Sequence, residues 1–292
     1  MKKLWLLGAA FLAGLTVTAY SGTSGYLFII GGGSRPESMM RKFVEMANQF
    51  GSGKIIIFPM ASSVPAEVGP EEAAEFRKLG AREAECHILT REQALKEDSA
   101  RILDDAGGVF FSGGDQSRLM DVLRDTPIHR KLLELYGKGC IIGGTSAGAA
   151  AMSEVMITGD ERKEVKEGHE FETIEAGNVV TVEGFGFLKT AIVDQHFATR
   201  KRHNRLISLV AENPQLLGIG IDESTAIIVK PGEIFEVMGE KDVVLYDASK
   251  AEIRMTPSQQ IGLRGMAMHV LLAGDVFDLK TRQVVWADRP RG

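Results

Sequence analysis

Short, wholly apolar runs alternate along the chain with longer stretches in which apolar residues recur every three or four positions. Tyr26 to Ile30 (YLFII), Lys54 to Phe58 (KIIIF), Val109 to Phe111, Cys140 to Ile142, Thr190 to Asp194 and Gly218 to Ile221 are too brief for helices and read as buried strands. Several of them stop at Gly31-Gly32-Gly33, Pro59, Gly113-Gly114 or Gly143-Gly144, residues that end strands in tight turns. Pro36 to Phe50 places Met39, Met40, Phe43, Met46 and Ala47 on one helical face, and Pro70 to Leu79 predicts a charged helix. Strands alternating with helices predict an α/β sheet with helices on both faces. From about Gly232 the pattern changes. EIFEVMG, VVLYD, AMHVLLAG and QVVWAD predict shorter strands joined by turns, a C-terminal antiparallel extension of the same domain. No Pro/Ser-rich linker divides the chain, so residues 26–292 are expected to form a single α/β domain.

The first residues are of another kind. Lys2 and Lys3 precede the uncharged, mostly apolar run Leu4 to Ala19, which ends in Val17-Thr18-Ala19. This is the pattern of a secretory signal peptide over residues 1–19, and it is short for a spanning helix. The mature protein is therefore expected to be secreted or periplasmic, without a membrane anchor. Export permits a disulfide, yet Cys140 sits in the apolar run KGCIIGG, so Cys86 and Cys140 are expected to be unpaired.

Composition narrows the function. With 44% hydrophobic and 25% charged residues the chain is globular, and a net charge of −5 argues against nucleic acid as a partner. Two cysteines exclude a disulfide scaffold and a multi-cysteine zinc site, and there is no H-E-x-x-H. Gly51-Ser52-Gly53-Lys54 has Ile55 where a phosphate loop needs Ser or Thr, and Gly31-Gly32-Gly33 has Pro36 where a dinucleotide fingerprint needs glycine. Neither a metal nor a cofactor is expected.

The strongest chemical signal is Gly144-Thr145-Ser146-Ala147-Gly148, a G-x-S-x-G between a strand and the helix-like AAAMSEVM. In that setting a sharp turn lifts the serine hydroxyl clear of the sheet, and the amide of Ala147 can donate to an oxyanion. Gly114, in the turn after another strand, offers a second such amide. A serine nucleophile needs a base. Ser146 with Asp222 and His269 would follow the order of α/β-hydrolases, and Ser146 with His196 and Glu223 would use another order. Spacing leaves both open, although His196 and Glu223 each follow a strand at its carboxyl end, where ligands of such sheets bind. Beside His196 stand Asp194 and Gln195, then Arg200, Arg202 and Arg205, whose forks suit carboxylates. Gln116 is a further candidate for holding substrate.

Taken together, FIIGGG, FFSGGDQSRL, GGTSAGAAAMS, VDQHFATRKRHNRL and GIGIDESTAII resemble the cyanophycinase family of serine peptidases, relatives of the aspartyl dipeptidase peptidase E. DQHF followed by R-x-R-x-x-R separates the cyanophycinases from the dipeptidase branch. The resemblance implies a class I glutamine-amidotransferase-like α/β fold. It also implies a catalytic triad of Ser146, His196 and Glu223, and substrate-pocket positions at Gln116, Asp194, Gln195, Arg200, Arg202 and Arg205. The implied substrate is cyanophycin, a poly-aspartate with arginine on each β-carboxyl, released as β-aspartyl-arginine dipeptides. Within that pocket the three arginines are expected to hold carboxylates, and Asp194 to hold a guanidinium or to orient the arginines. The leader implies an exported branch that feeds on polymer released by other cells, and a homodimer is left open. Two rival functions use the same residues: an aspartyl or isoaspartyl dipeptidase like peptidase E, and a non-catalytic carboxylate-binding protein.

Overall fold

The apolar runs become the strands of two sheets that share one core. The computed structural model describes residues 24–286, so the expected leader over 1–19 lies outside the described residues. Strands β1 (Tyr26–Ile30), β2 (Lys54–Phe58), β3 (Glu83–Cys86), β4 (Ala106–Phe111) and β5 (Ile141–Thr145) run parallel in the order β3-β2-β4-β5-β1. Helices α1 (Glu37–Ala47), α2 (Pro65–Lys78), α3 (Arg91–Ala94), α4 (Gln116–Leu123) and α5 (Pro127–Lys138) connect them, and the single turn α6 (Ala147–Ala150) follows β5. After the hairpin β6 (Val155–Glu161) and β7 (Val179–Glu183) come β8 (Ala191–Gln195), α7 (His203–Glu212) and β9 (Leu217–Ile221). The chain then adds β10 (Thr225–Lys230), β11 (Ile234–Gly239), β12 (Val243–Asp247), the hairpin β13 (Glu252–Met255) and β14 (Ile261–Arg264), β15 (Ala267–Leu271), β16 (Val276–Asp278) and β17 (Gln283–Val285).

Helices cover both faces of the main sheet. On one face α1 buries Met39, Met40, Phe43, Val44 and Ala47, as their spacing predicts, although Met46 is only partly covered. Phe43, Phe76 of α2 and Phe110 of β4 meet there with ring centroids 5.2–5.5 Å apart. α2 begins at Pro65 rather than at Pro70: Pro65 takes the first helical position, where its missing N–H costs nothing, and Pro70 lies within the helix. The other face buries Leu27, Ile29 and Phe111 against α4, α5, α6 and the second sheet.

The antiparallel extension is real but divided. β10, β11, β16 and β17 extend the main sheet from β1, whereas β12 and β15 join β9 and β8 in a second, four-stranded sheet. The strands predicted at Thr190 to Asp194 and Gly218 to Ile221 therefore pair with each other, in parallel, and not with β1 or β5. The alternation in β9 explains the arrangement. Leu217, Ile219 and Ile221 face the main core, while Gly218 and Gly220 lie under Leu206, Val210 and Phe197 on the α7 side. The helix expected from Ala147 onward lasts only one turn. The carbonyls of Ala151 and Met152 accept from the N–H groups of Phe185 and Leu188, which takes away the bonds that would extend it. Both cysteines are free, and burial pushes the Cys140 thiol up to about 12.

A side chain on Gly220 would put its Cβ 2.3 Å from the Phe197 ring, next to His196. Gly220→Ala is expected to cost about 1–3 kcal/mol by overpacking. Urea unfolding with a midpoint equal to that of the parent would show that the α7 layer gives way freely.

Candidate active site

Ser146 stands where β5 turns into α6, at φ 54° and ψ −109°, a conformation that a side chain rarely adopts. Its amide donates to the carbonyl of Ile30 at the end of β1, which holds the turn against the neighbouring strand. The second sheet supplies two more groups from the carboxyl ends of its parallel pair: His196 follows β8, and Glu223 lies just beyond β9. Ser146 Oγ is 2.8 Å from His196 Nε2, and His196 Nδ1 is 2.7 Å from Glu223 Oε1. The carboxylate can only accept, so Nδ1 carries the proton and Nε2 is free to accept from the serine hydroxyl.

The turn after β1 stitches these groups together. His196 N–H donates to Gly31 O at 2.7 Å, and Ser224 N–H donates to Gly32 O at 2.9 Å. Gly32 has φ +107°, and a Cβ there would lie 2.4 Å from the imidazole; one on Gly33 would lie 2.7 Å from the Glu223 side chain. The triple glycine that fails as a dinucleotide loop is thus the bed on which His196 and Glu223 rest.

The other arrangement left open by spacing is not brought together. His269 lies in β15 opposite Leu245, with its ring 5.9 Å from that of Phe277. Asp222 accepts from Thr199 N–H at 3.0 Å and from its hydroxyl at 3.1 Å, with Lys241 Nζ 3.4 Å away. Burial alone would raise the Asp222 carboxyl, but these donors hold it below the usual range.

Gln116, Gln195, Arg200, Arg202 and Arg205 line a cleft of about 220 Å³ together with Ser146 and Gly114. Ala147 opens α6 beside it. The basic cluster is not uniform. Arg205, buried, lays its fork on Asp194, with Nε 2.7 Å from Oδ2 and Nη2 bonded to Oδ1, and its guanidinium carbon is 5.2 Å from the Phe171 ring. Arg202 Nη1 donates to the carbonyl and the side chain of Gln195 at 2.7 and 2.8 Å, and burial beside Arg205 lowers its guanidinium to about 10. Arg200 is exposed and has no ion-pair partner among the described residues. Gln116 Nε2 donates to the carbonyls of Ile157 at 2.7 Å and Thr158, and so ties the β6–β7 hairpin over the cleft. Thr158, Gly159 and Asp115 also line the cleft, and Phe171 backs Arg205. The hairpin residues carried no sequence signal, since they belong to no motif, whereas Asp115 lay unused inside SGGDQ. Among the described residues no group of three or more His, Cys, Asp or Glu is arranged to hold a metal ion.

Burial is the main reason that the His196 imidazole sits below its ordinary value, and Arg200 and Arg202 add to the depression, while the hydrogen bond to Glu223 opposes it. A neutral imidazole near pH 7, bonded to a hydroxyl on one side and a carboxylate on the other, can take a proton from that hydroxyl as it attacks a carbonyl.

A model of peptidase family S51 matches residues 27–237 of the chain. A cyanophycinase of Trichormus variabilis is 36% identical over 237 residues, which cover 79% of this chain and 77% of that protein. A cyanophycinase of Synechococcus elongatus is 32% identical over 278 residues, 92% of this chain and 84% of the relative. The crystal structure of a peptidase from an acI-B1 Actinobacterium superposes with a TM-score of 0.63 at 22% identity, over 88% of this chain and 98% of that one, a likeness of fold.

The charges around the imidazole make a titration informative. Followed by NMR, His196 is expected to titrate below its ordinary value of 6.5. Arg200→Ala removes a repelling cation and should raise the midpoint; Glu223→Gln removes the counter-charge and should lower it. Movement in the opposite sense in either variant would mean that these charges do not govern the ring.

Proposed function

The chain belongs to peptidase family S51, and from that premise we propose that it is a serine-type cyanophycinase that releases β-aspartyl-arginine dipeptides. The observation that carries the reading is the continuous relay from Ser146 through His196 to Glu223, at 2.8 and 2.7 Å. Ser146 Oγ attacks a backbone aspartyl carbonyl while His196 Nε2 takes its proton, and Glu223 steadies the imidazolium that forms. The negative charge that develops on the carbonyl oxygen is met by the amides of Gly114 and Ala147, which need not reorganise as the reaction proceeds. Collapse of the adduct returns the proton from Nε2 to the leaving amine, and water then repeats the sequence on the acyl-enzyme.

Relatives that are cyanophycinases, together with a cleft rich in arginine, support cyanophycin as the polymer. Each unit of that polymer ends in an arginine with a free α-carboxylate, and Arg200 is a cation free to meet it. Arg205 and Asp194 act on the substrate indirectly, as a buried pair that fixes the end of β8 and the start of α7. The reading includes export: the leader over residues 1–19 is removed, and the mature protein works in the periplasm or outside the cell.

Ser146→Ala and His196→Ala should each reduce digestion of purified cyanophycin by roughly 10⁴-fold or more, because the relay acts as a unit, while His269→Ala stays near wild type. Mass spectrometry of the wild-type digest should find β-aspartyl-arginine. A Ser146→Ala protein within tenfold of wild type would end the serine assignment, and cleavage of aspartyl dipeptides in place of the polymer would move the protein to the dipeptidase reading.

Export has its own measurement. N-terminal sequencing of the protein from fractionated cells should begin near Tyr20 and outside the cytoplasm. A cytosolic protein that still begins at Met1 would refute it.

A further inference from the structure

The cleft beside Ser146 is rich in cations and poor in anions. Arg200, Arg202 and Arg205 line it, and the one carboxylate among its lining residues is Asp115. Asp194, the acid expected to meet a guanidinium, has no capacity left for one. It is 1% exposed, and both of its oxygens are taken by Arg205, itself 3% exposed. To turn Asp194 toward a ligand would strand a buried arginine without its counter-charge.

Asp115 is held in another way. Its N–H donates to Ala61 O at 2.9 Å, and its Oδ1 caps α4 by accepting from Ser117 N–H at 2.8 Å. The carboxylate is thus fixed by one oxygen. The other, Oδ2, lies 3.6 Å from Arg118 Nε in a pair whose two side chains are each about half exposed (48% and 56%). Such a contact is weak and readily exchanged. A substrate guanidinium that takes the place of Arg118 replaces a loose surface pair with a charge-assisted hydrogen bond inside the cleft. A neutral group of the same shape gives up the Arg118 contact and gains no charge.

The polymer unit carries both signs on one arginine, a guanidinium and a free carboxylate. Among the described residues Arg200 is the cation of the cleft without an ion-pair partner, and Asp115 is the anion whose second oxygen is held only by the loose Arg118 pair. We propose that Asp115 accepts the guanidinium of the substrate and thereby selects arginine, an assignment that rests on the cyanophycin reading above. Because Gly113 lies directly beside Ser146, its ideal Cβ 3.4 Å from that of the serine, the selecting carboxylate and the attacking hydroxyl sit on neighbouring turns.

The test compares kcat/KM on a trimer of β-aspartyl-arginine units and on its citrulline counterpart, in which a neutral urea replaces each guanidinium. Wild-type enzyme is expected to prefer the arginine trimer. Asp115→Asn should cut that preference roughly ten- to a hundredfold, the worth of one hydrogen bond to a charged group. Asn caps a helix as well as Asp does, so the thermal midpoint should stay where it was, and a loss of preference cannot be put down to an unravelled α4. Asp160→Asn removes an exposed carboxylate next to Gly159, at the edge of the same cleft, and should leave the preference intact. An Asp115→Asn enzyme that keeps the wild-type preference overturns the proposal, as does a preference that is lost in the Asp160 variant instead, or a wild type that cleaves both trimers equally. A wild type that cleaves neither trimer overturns the cyanophycin reading itself.

Discussion

The hydrogen bond from His196 N–H to the carbonyl of Gly31 joins the ends of two separate sheets, and the geometry of the site depends on that join. Ser146 belongs to the main sheet through β5, while His196 and Glu223 belong to the smaller one through β8 and β9. Within a single sheet, adjacent strand ends are held about 4.8 Å apart by their own ladder. Between the two sheets no such ladder exists. The Gly31-Gly32-Gly33 turn supplies the missing connection. It gives its carbonyls to His196 and Ser224, takes a bond from Gly31 N–H to Thr225 O, and leaves the room above Gly32 that the imidazole fills. A methyl group on Gly32 would push the ring away from both Ser146 and Glu223.

Charge is distributed by the same logic. Three arginines close to an imidazole would push it far from protonation if all of them kept their full fields. The fold gives two of them internal partners. Arg205 is neutralised by Asp194, and Arg202 is bound to Gln195 with Asp194 at 3.7 Å. Arg200 stays exposed, where water weakens its field on the ring without removing it. The imidazole is depressed chiefly by its burial, with the arginines second, and the proposed base is neutral where it has to work. Glu223 limits the depression through its hydrogen bond to the ring, and Lys241 Nζ lies 3.8 Å from its second oxygen.

Much of this was legible in the chain. YLFII, KIIIF and GIGI announce strands because they are apolar throughout, too short for helices and bounded by turn residues, and the serine turn is marked by Gly144 and Gly148, where a side chain would collide with backbone. His196 and Glu223 were legible as strand-end residues, but spacing alone did not join them to Ser146, since triads are defined by geometry and Asp222 adjoins Glu223 in the sequence; only the family resemblance named that set. The division into two sheets was hidden because pairing between β8 and β9 and pairing with β1 need the same apolar alternation. The role of Arg205 was hidden for a different reason. An R-x-R-x-x-R run shows three equal charges, and only burial distinguishes the one that faces Asp194 from the one that faces water. The brevity of α6 was invisible too, because it is decided by Phe185 and Leu188, more than thirty residues farther along the chain.

Three residues of the site, Ser146, His196 and Ser224, have φ between 48° and 54°. Each costs on the order of 1–3 kcal/mol relative to relaxed backbone, and such a cost persists only where the surroundings impose it. Here the imposition can be traced. Ser146 N–H is held by Ile30 O, His196 N–H by Gly31 O and Ser224 N–H by Gly32 O, so three consecutive carbonyls of the first strand and its turn hold three strained residues from three places in the sequence. The strained positions are the proposed nucleophile, the proposed base and the residue that follows the proposed acid Glu223. The five residues from Ile30 to Ser34 thus act as a template: β1 pairs with β5 on one side and β10 on the other, and the carbonyls of Ile30, Gly31 and Gly32 hold the backbone of the proposed nucleophile, of the proposed base and of the residue after the proposed acid.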